Sequence, residues 1–128
     1  MSTGFILTRG RGTGSSTAST PFGTKTAVIS IPPGETRDLD TIPFTTYAVA
    51  KWLVAVMDIG ETLLQSYEVH GQYLVSAASP SHTTFSQIGD KIHNQVNVVN
   101  VASTLVIRVT NNESYTINVK AARYDVNT

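Results

Sequence analysis

The sequence predicts an all-β fold: an antiparallel β-sandwich, jelly-roll-like, carrying an extended N-terminal arm. Three observations point there. Val, Thr, Ser and Asn dominate the composition, apolar residues recur at every second position, and turn signals return after roughly 8–12 residues. At 128 residues the chain has the length of one domain and can bury a real core.

Residues 1–24 differ in kind from the rest. Arg9-Gly-Arg11-Gly-Thr-Gly-Ser-Ser-Thr-Ala-Ser-Thr-Pro21 has no hydrophobic periodicity, and it lies between the apolar residues Phe5-Ile6-Leu7 and Phe22. This composition suits a frayed terminus or an extended arm equally, and the apolar ends suit an arm that docks on a neighbouring surface. Phe5, Ile6, Leu7, Arg9, Arg11 and Phe22 are therefore the candidate assembly residues. The division is an arm over 1–24 and a sandwich over 25–128.

From Lys25 onward strands alternate with turns. Thr26–Ile31 reads as a strand stopped by Pro32-Pro33-Gly34, and Glu35–Leu39 as a short polar strand. Ile42-Pro43-Phe44 reads as a loop, because proline is excluded from central strands. Tyr47–Asp58 is the most apolar segment. Trp52, Val54 and Val56 fall on one face and Lys51, Leu53 and Met57 on the other, so it reads as a central strand buried largely on both faces.

Thr62–Val69 reads as its hairpin partner, followed by a turn at His70-Gly71 and a short strand over Tyr73–Ser76. Further strands are expected at Thr83–Ile88 and Gln95–Val101. Thr104–Thr110 and Tyr115–Val126 read as a closing hairpin around Asn111-Asn112-Glu113-Ser114, a run of residues that tolerate positive φ. The expected core centres on Trp52, Val54, Leu105, Ile107, Ile117 and Val119.

Charged residues are 14% of the chain against ~25% in an average soluble domain, and the formal net charge is zero. Residues 1–24 carry two arginines and no acid, whereas 25–128 carry seven Lys/Arg against nine Asp/Glu. That dipole is too small to indicate nucleic acid. A weakly charged surface protects poorly against association, which suits a homo-oligomer. No cysteine is present, so disulfide and thiolate chemistry are excluded. Phe5-Ile6-Leu7 is too short for a signal-peptide core, and no apolar run approaches the ~20 residues of a membrane helix. The chain therefore reads as one made in the cytoplasm and used there, or packed into a particle there.

No residue set supports catalysis. Gly10, Gly12 and Gly14 precede a Ser/Thr tract, not the helix of a phosphate-binding loop. His70, His82 and His93 form no close pair of the kind a metal needs. Glu68 and His70 at i,i+2 read as a turn-flanking surface pair. Asp38 and Asp40 read as a solvated turn lacking further oxygen ligands for calcium. No nucleophile motif occurs, and Asn112-Glu113-Ser114 matches a glycosylation acceptor without a signal peptide to give it meaning. The aromatics Tyr47, Trp52, Tyr67, Tyr73, Phe85, Tyr115 and Tyr124 read mostly as packing. Basic residues are too sparse among them for nucleic-acid stacking. The chain is expected to be no enzyme and to need no cofactor or metal.

Ala48-Val-Ala-Lys-Trp-Leu-Val-Ala-Val-Met-Asp58, the segment Thr62–Gly71 ending Tyr67-Glu-Val-His-Gly71, the Thr83–Gly89 strand and the closing Thr104–Val126 pair follow a recurring order. This order is similar to β-sandwich modules in virion structural proteins of tailed bacteriophages, particularly fibre-associated ones of large tailed and cyanobacterial phages. Those modules read as an Ala-Lys-aromatic-hydrophobic strand, a strand ending near His-x-Gly, and a closing Leu-x-hydrophobic-x-x-Thr strand. The resemblance spans Ala48 to Val126, or 79 of 128 residues. It departs from the pattern where Gly71 directly follows His70, with no Asp between them, and the arm has no counterpart.

The resemblance implies a structural virion protein, associated with tail, baseplate or fibre and assembled in the host cytoplasm. Its partners would be other virion structural proteins and further copies of itself, with no nucleic acid and no membrane. Two alternatives stay open: a head decoration (cement) protein on the capsid, and a carbohydrate-binding module that recognises a host surface through exposed aromatics.

Overall fold

The computed structural model describes residues 23–128. Nine strands lie within them: β1 (Thr24–Lys25), β2 (Ile29–Ile31), β3 (Thr36–Pro43), β4 (Tyr47–Asp58), β5 (Leu64–Leu74), β6 (Ser81–Gly89), β7 (Asn94–Val101), β8 (Thr104–Asn111) and β9 (Ile117–Asn127). They form two sheets. One runs β1-β9-β4-β5-β6, with β2 sharing the β9 edge with β1; the other runs β3-β8-β7. Every pairing is antiparallel. The all-β sandwich expected from periodicity is what forms.

The six expected core residues, Trp52, Val54, Leu105, Ile107, Ile117 and Val119, are all fully buried between the sheets. β4 occupies the residues expected of it, and its inward positions Ala48, Ala50, Trp52, Val54 and Val56 are sealed. The opposite face differs from expectation. Leu53 is 58% exposed and Lys51 also faces solvent, because the second sheet covers only one side of β4. Apolar side chains on both faces of a strand therefore do not mean burial on both.

Several boundaries shift for identifiable reasons. No turn forms at His70-Gly71, and β5 runs through it for eleven residues. Gly71 is needed for close approach: a Cβ there would stand 3.2 Å from the Trp52 ring and 3.3 Å from Val98. Pro43 ends β3 instead of sitting in a loop, as proline can when the strand lies at a sheet edge. Of the expected Thr26–Ile31 strand only Ile29–Ile31 forms, as β2; a separate two-residue piece, β1, precedes it, and both pair with β9.

The expected closing hairpin is a crossing between sheets. β8 pairs β3 and β7, whereas β9 pairs β1, β2 and β4. Asn111, wholly buried, fixes the crossing. Its side-chain amide donates to the Ile31 and Tyr115 carbonyls at 2.9 and 2.7 Å, and its Oδ1 accepts from the Glu113 amide at 2.8 Å. A second crossing, residues 90–93 between β6 and β7, hangs on the buried Gln65. That amide donates to the Asp90 and Ile92 carbonyls and accepts from Asn94 Nδ2 at 2.9 Å. Every polar group on these two side chains thus has work in joining the sheets.

β7 and β8 are joined by Ala102-Ser103, with Val101 paired to Thr104. Both loop residues lie at positive φ, 49° and 62°, as a two-residue hairpin of this hand demands. Neither is the Asn-Gly such a turn prefers, so the backbone is strained there.

Two substitutions test this account. Ala102→Asn with Ser103→Gly should raise stability by about 1 kcal/mol in chemical denaturation. Gly71→Val should lower it by roughly 1–3 kcal/mol, since the branched side chain must displace Trp52 or Val98; an unchanged midpoint would mean that the close approach is not a constraint.

Candidate assembly surfaces

The outward face of the larger sheet follows directly from register. Rows of register partners cross it, three of which matter here. The first runs Lys25, Ala122, Leu53, Glu68, Phe85; the second Lys120, Ala55, Ser66, Ile88; the third Val126, Val49, Gln72, Ser81. Small residues at Ala55, Ser66 and Ala122 form a floor, and Leu53 and Leu64 rise beside it with Lys25 and Lys120. The result is a shallow depression of about 390 Å³. Leu53, Leu64, Ile88, Tyr124 and Val126 are each more than half exposed around it. These clustered exposed apolar side chains make this face the candidate contact surface. The signal was present in the sequence, in the apolar residues on the second face of Tyr47–Asp58 and Tyr115–Val126.

The two lateral sides of the sandwich differ. On one side lie β1, β2 and β3. β1 and β2 are two and three residues long, and β3 carries Arg37, Asp38 and Asp40, a register shift between the two aspartates, and a terminal proline. These are the devices by which natural sheets discourage strand addition. On the other side lie β6 and β7, and neither contains Lys, Arg, Asp, Glu or Pro. All nine residues of β6 are exposed, and β7 pairs β8 over its full length without a shift. The only protective feature here is a bulge in β6, where Ser86 takes φ 58°.

The polar residues singled out from sequence fall as follows. Glu68 and His70 share the outer face of β5, and Glu68 pairs with Lys51 at 3.1 Å. Asp38 and Asp40 are not a solvated turn. They lie within β3, and the shift between them sends their side chains to different partners. Asp38 pairs with Arg108 at 2.7 Å near the surface. Asp40 is turned toward the other sheet, accepts from Trp52 Nε1 at 2.9 Å, and takes Arg123 Nη1 on both oxygens at 2.9 and 3.0 Å. Burial disfavours the Arg123 charge, and the bonds from Asp40 and Asp125 more than offset it. His93 meets Glu113, whose carboxyl is held below its ordinary range by the His93 backbone amide and then by the imidazole. Tyr67 is pushed upward by burial and donates to Asn94 Oδ1 at 2.8 Å.

These pairs join strands. Among the described residues no group of three His, Cys, Asp or Glu could hold a metal ion, and no helix is long and apolar enough to cross a membrane. Of the seven aromatics singled out from sequence, Trp52, Tyr67 and Tyr73 are buried. Phe85 and Tyr124 are the exposed large ones, and they stand on β6 and β9, three strand spacings apart, or roughly 14 Å. That is wide for stacking one sugar ring between them. Phe5, Ile6, Leu7, Arg9, Arg11 and Phe22 lie outside the described residues. The described chain begins at Gly23, where β1 joins the β9 edge opposite Arg123 and Ala122.

No protein-family model matches the chain, and no curated protein matches it. Among solved structures it is similar to the tailspike protein of Acinetobacter baumannii phage AM24. Sequence identity is 5% and the TM-score is 0.47, over 82% of this chain and 26% of that one. The chain thus spans about a quarter of the tailspike's length.

If the outer face is a contact site, Leu53→Lys with Leu64→Lys should leave the melting temperature within a few degrees, since both side chains are exposed. The same pair should sharply reduce binding of an apolar fluorescent dye to the folded protein. Undiminished dye binding would place the apolar surface elsewhere.

Proposed function

We propose that this chain is a non-enzymatic structural protein of a tailed-phage virion, associated with tail, baseplate or fibre. It would assemble in several copies through the sandwich body and the segment Met1 to Gly23. The observation that carries the reading is the outer face of the larger sheet. A rigid antiparallel sheet presents Leu53, Leu64, Ile88, Tyr124 and Val126 to solvent in a chain with few charges to keep it apart from neighbours. The virion assignment rests on the order of strand segments from Ala48 to Val126, which follows that of sandwich modules in tailed-phage structural proteins.

The polar side chains support this division of labour. Asp40, Arg123, Gln65, Asn94, Asn111 and Glu113 are occupied in fastening one sheet to the other, so the body is a stiff block with its chemistry directed inward. Gly23, the first described residue, precedes β1 at the Lys25 end of the outer face. In this reading Phe5-Ile6-Leu7 would dock on an adjoining subunit.

The test is incorporation. Phage particles banded from the host that carries the gene should contain the chain by mass spectrometry. A Phe5→Ser, Ile6→Ser, Leu7→Ser variant should fold with an unchanged melting temperature but be depleted from particles at least ~10-fold, a loss of about 1.4 kcal/mol in association. Absence of the wild-type chain from particles would overturn the virion role. Normal incorporation of the triple variant would overturn the arm alone.

A further inference from the structure

The uncharged side of the sandwich has a definite shape. The larger sheet is five strand positions wide and the smaller is three. β7 lies over β5, as the packing of Val98 against Gly71 requires. β6 is the next position outward, and among the described residues nothing covers its inner face: His82 and Thr84, at core-facing positions opposite Gly71 and Val69, are both exposed. The edge is therefore a step. β6 projects one strand beyond β7, and below it lies an open cleft of about 340 Å³ bordered by Thr84, Gln87, Asn94 and Val96, with Lys91 and His93 at its crossing end.

We infer that this step is the contact between two copies of the chain, each inserting its β6 into the cleft beside the β7 of the other. A two-fold axis parallel to the strands, midway between the sheets, generates the arrangement. It exchanges the larger sheet of one copy with the smaller sheet of the other and leaves strand direction unchanged. β6 and β7 run in opposite directions, because the odd–even order of antiparallel neighbours is kept across the 90–93 crossing. The incoming β6 therefore meets β7 as an antiparallel neighbour, the favoured pairing. Both edges are completed at once, and two composite sheets of eight strand positions result. The contact is isologous and closed, as a stable dimer requires.

The chemistry of the paired strands agrees with this occupant. β6 and β7 themselves carry no Lys, Arg, Asp or Glu, so no charged side chains face each other along the paired strands; Asp90 and Lys91 lie beyond the end of β6 in the 90–93 crossing. The regular part of β6, Ser81–Phe85, supplies the hydrogen-bonding edge, and the bulge at Ser86 ends it. The opposite side of the sandwich, guarded by short strands, charges and a proline, has no such capacity.

The experiment uses the full-length chain. Sedimentation velocity should show a dimer at micromolar concentration. Thr84→Lys places a charge on the inner face of β6, where it is solvated in the monomer and buried in the dimer. It should weaken dimerisation at least ~10-fold while leaving the melting temperature of the monomer unchanged. Thr36→Lys on β3 should leave dimerisation as it is. The chain has no cysteine, so Thr84→Cys gives a single thiol. The facing β6 strands would lie about 10 Å apart, and a bis-maleimide of that span should join two chains through it but not through Thr36→Cys. A monomeric wild type, a dimer indifferent to Thr84→Lys, or equal cross-linking from both positions would overturn the inference. Particle incorporation is measured separately, and its outcome does not depend on this dimer.

Discussion

The indole of Trp52 is fully buried between the two sheets, and its contacts tie one to the other. Its ring presses on Gly71 from its own sheet, and its Nε1 donates to Asp40 from the other. Asp40 also takes Arg123 on both oxygens, and Arg123 reaches on to Asp125. One carboxylate on β3 is thus shared between β4 and β9, whose residues Trp52 and Arg123 are register partners. A hydrophobic layer alone would let two sheets slide, because apolar contact has no direction. A half-buried ion pair of this kind adds little net stability once desolvation is counted, but its geometry is specific. Here it pins the sheets in one relative position. The register shift between Asp38 and Asp40 is what turns the second carboxylate inward while leaving the first at the surface.

Much of this architecture was legible in the residues, and the exceptions share a cause. Alternation located nearly every strand and named the core, because period-two burial is a local property of the pleat. What alternation lacks is partnership. Asn111 to Ser114 looks like a hairpin turn because it reverses the chain, and it does reverse it. Whether the two arms lie in one sheet or two depends on Asn111 reaching Ile31 and on Glu113 reaching His93, contacts across 80 and 20 residues. Gly71 reads as a turn residue because the ring that needs its missing side chain is 19 positions away in sequence. Asp40 reads as a surface acid for the same reason. Each misreading concerns a residue whose local preference was overruled by a distant partner.

The outer face of the larger sheet was misread differently. Leu53, Val49 and Met57 were apolar on the second face of β4, and a strand apolar on both faces is ordinarily one covered on both. Here the fold supplies a cover for one face only. The second hydrophobic stripe is then not evidence about the monomer's core at all. It is a stripe without a cover among the described residues, and the candidate surface was visible in the sequence under the wrong heading.

Charge distribution ties these surfaces together. Few charged residues are present, yet they are not evenly thinned. Arg37 with Glu35, Arg108 with Asp38, and Arg123 with Asp40 and Asp125 all gather toward the β3 side and the sheet junction near it. β6 and β7 receive none. The exposed pairs Arg37–Glu35 and Arg108–Asp38 contribute little to stability, so their placement is hard to explain as reinforcement, unlike that of Arg123 with Asp40, which ties the sheets together. It is readily explained as exclusion: a charged, bulged, proline-ended edge resists strand addition, and an edge without those features invites it. Protection concentrated on one side of a sandwich and withheld from the other makes association directional. A block that associates through chosen surfaces only can build a closed assembly without running on into open aggregates.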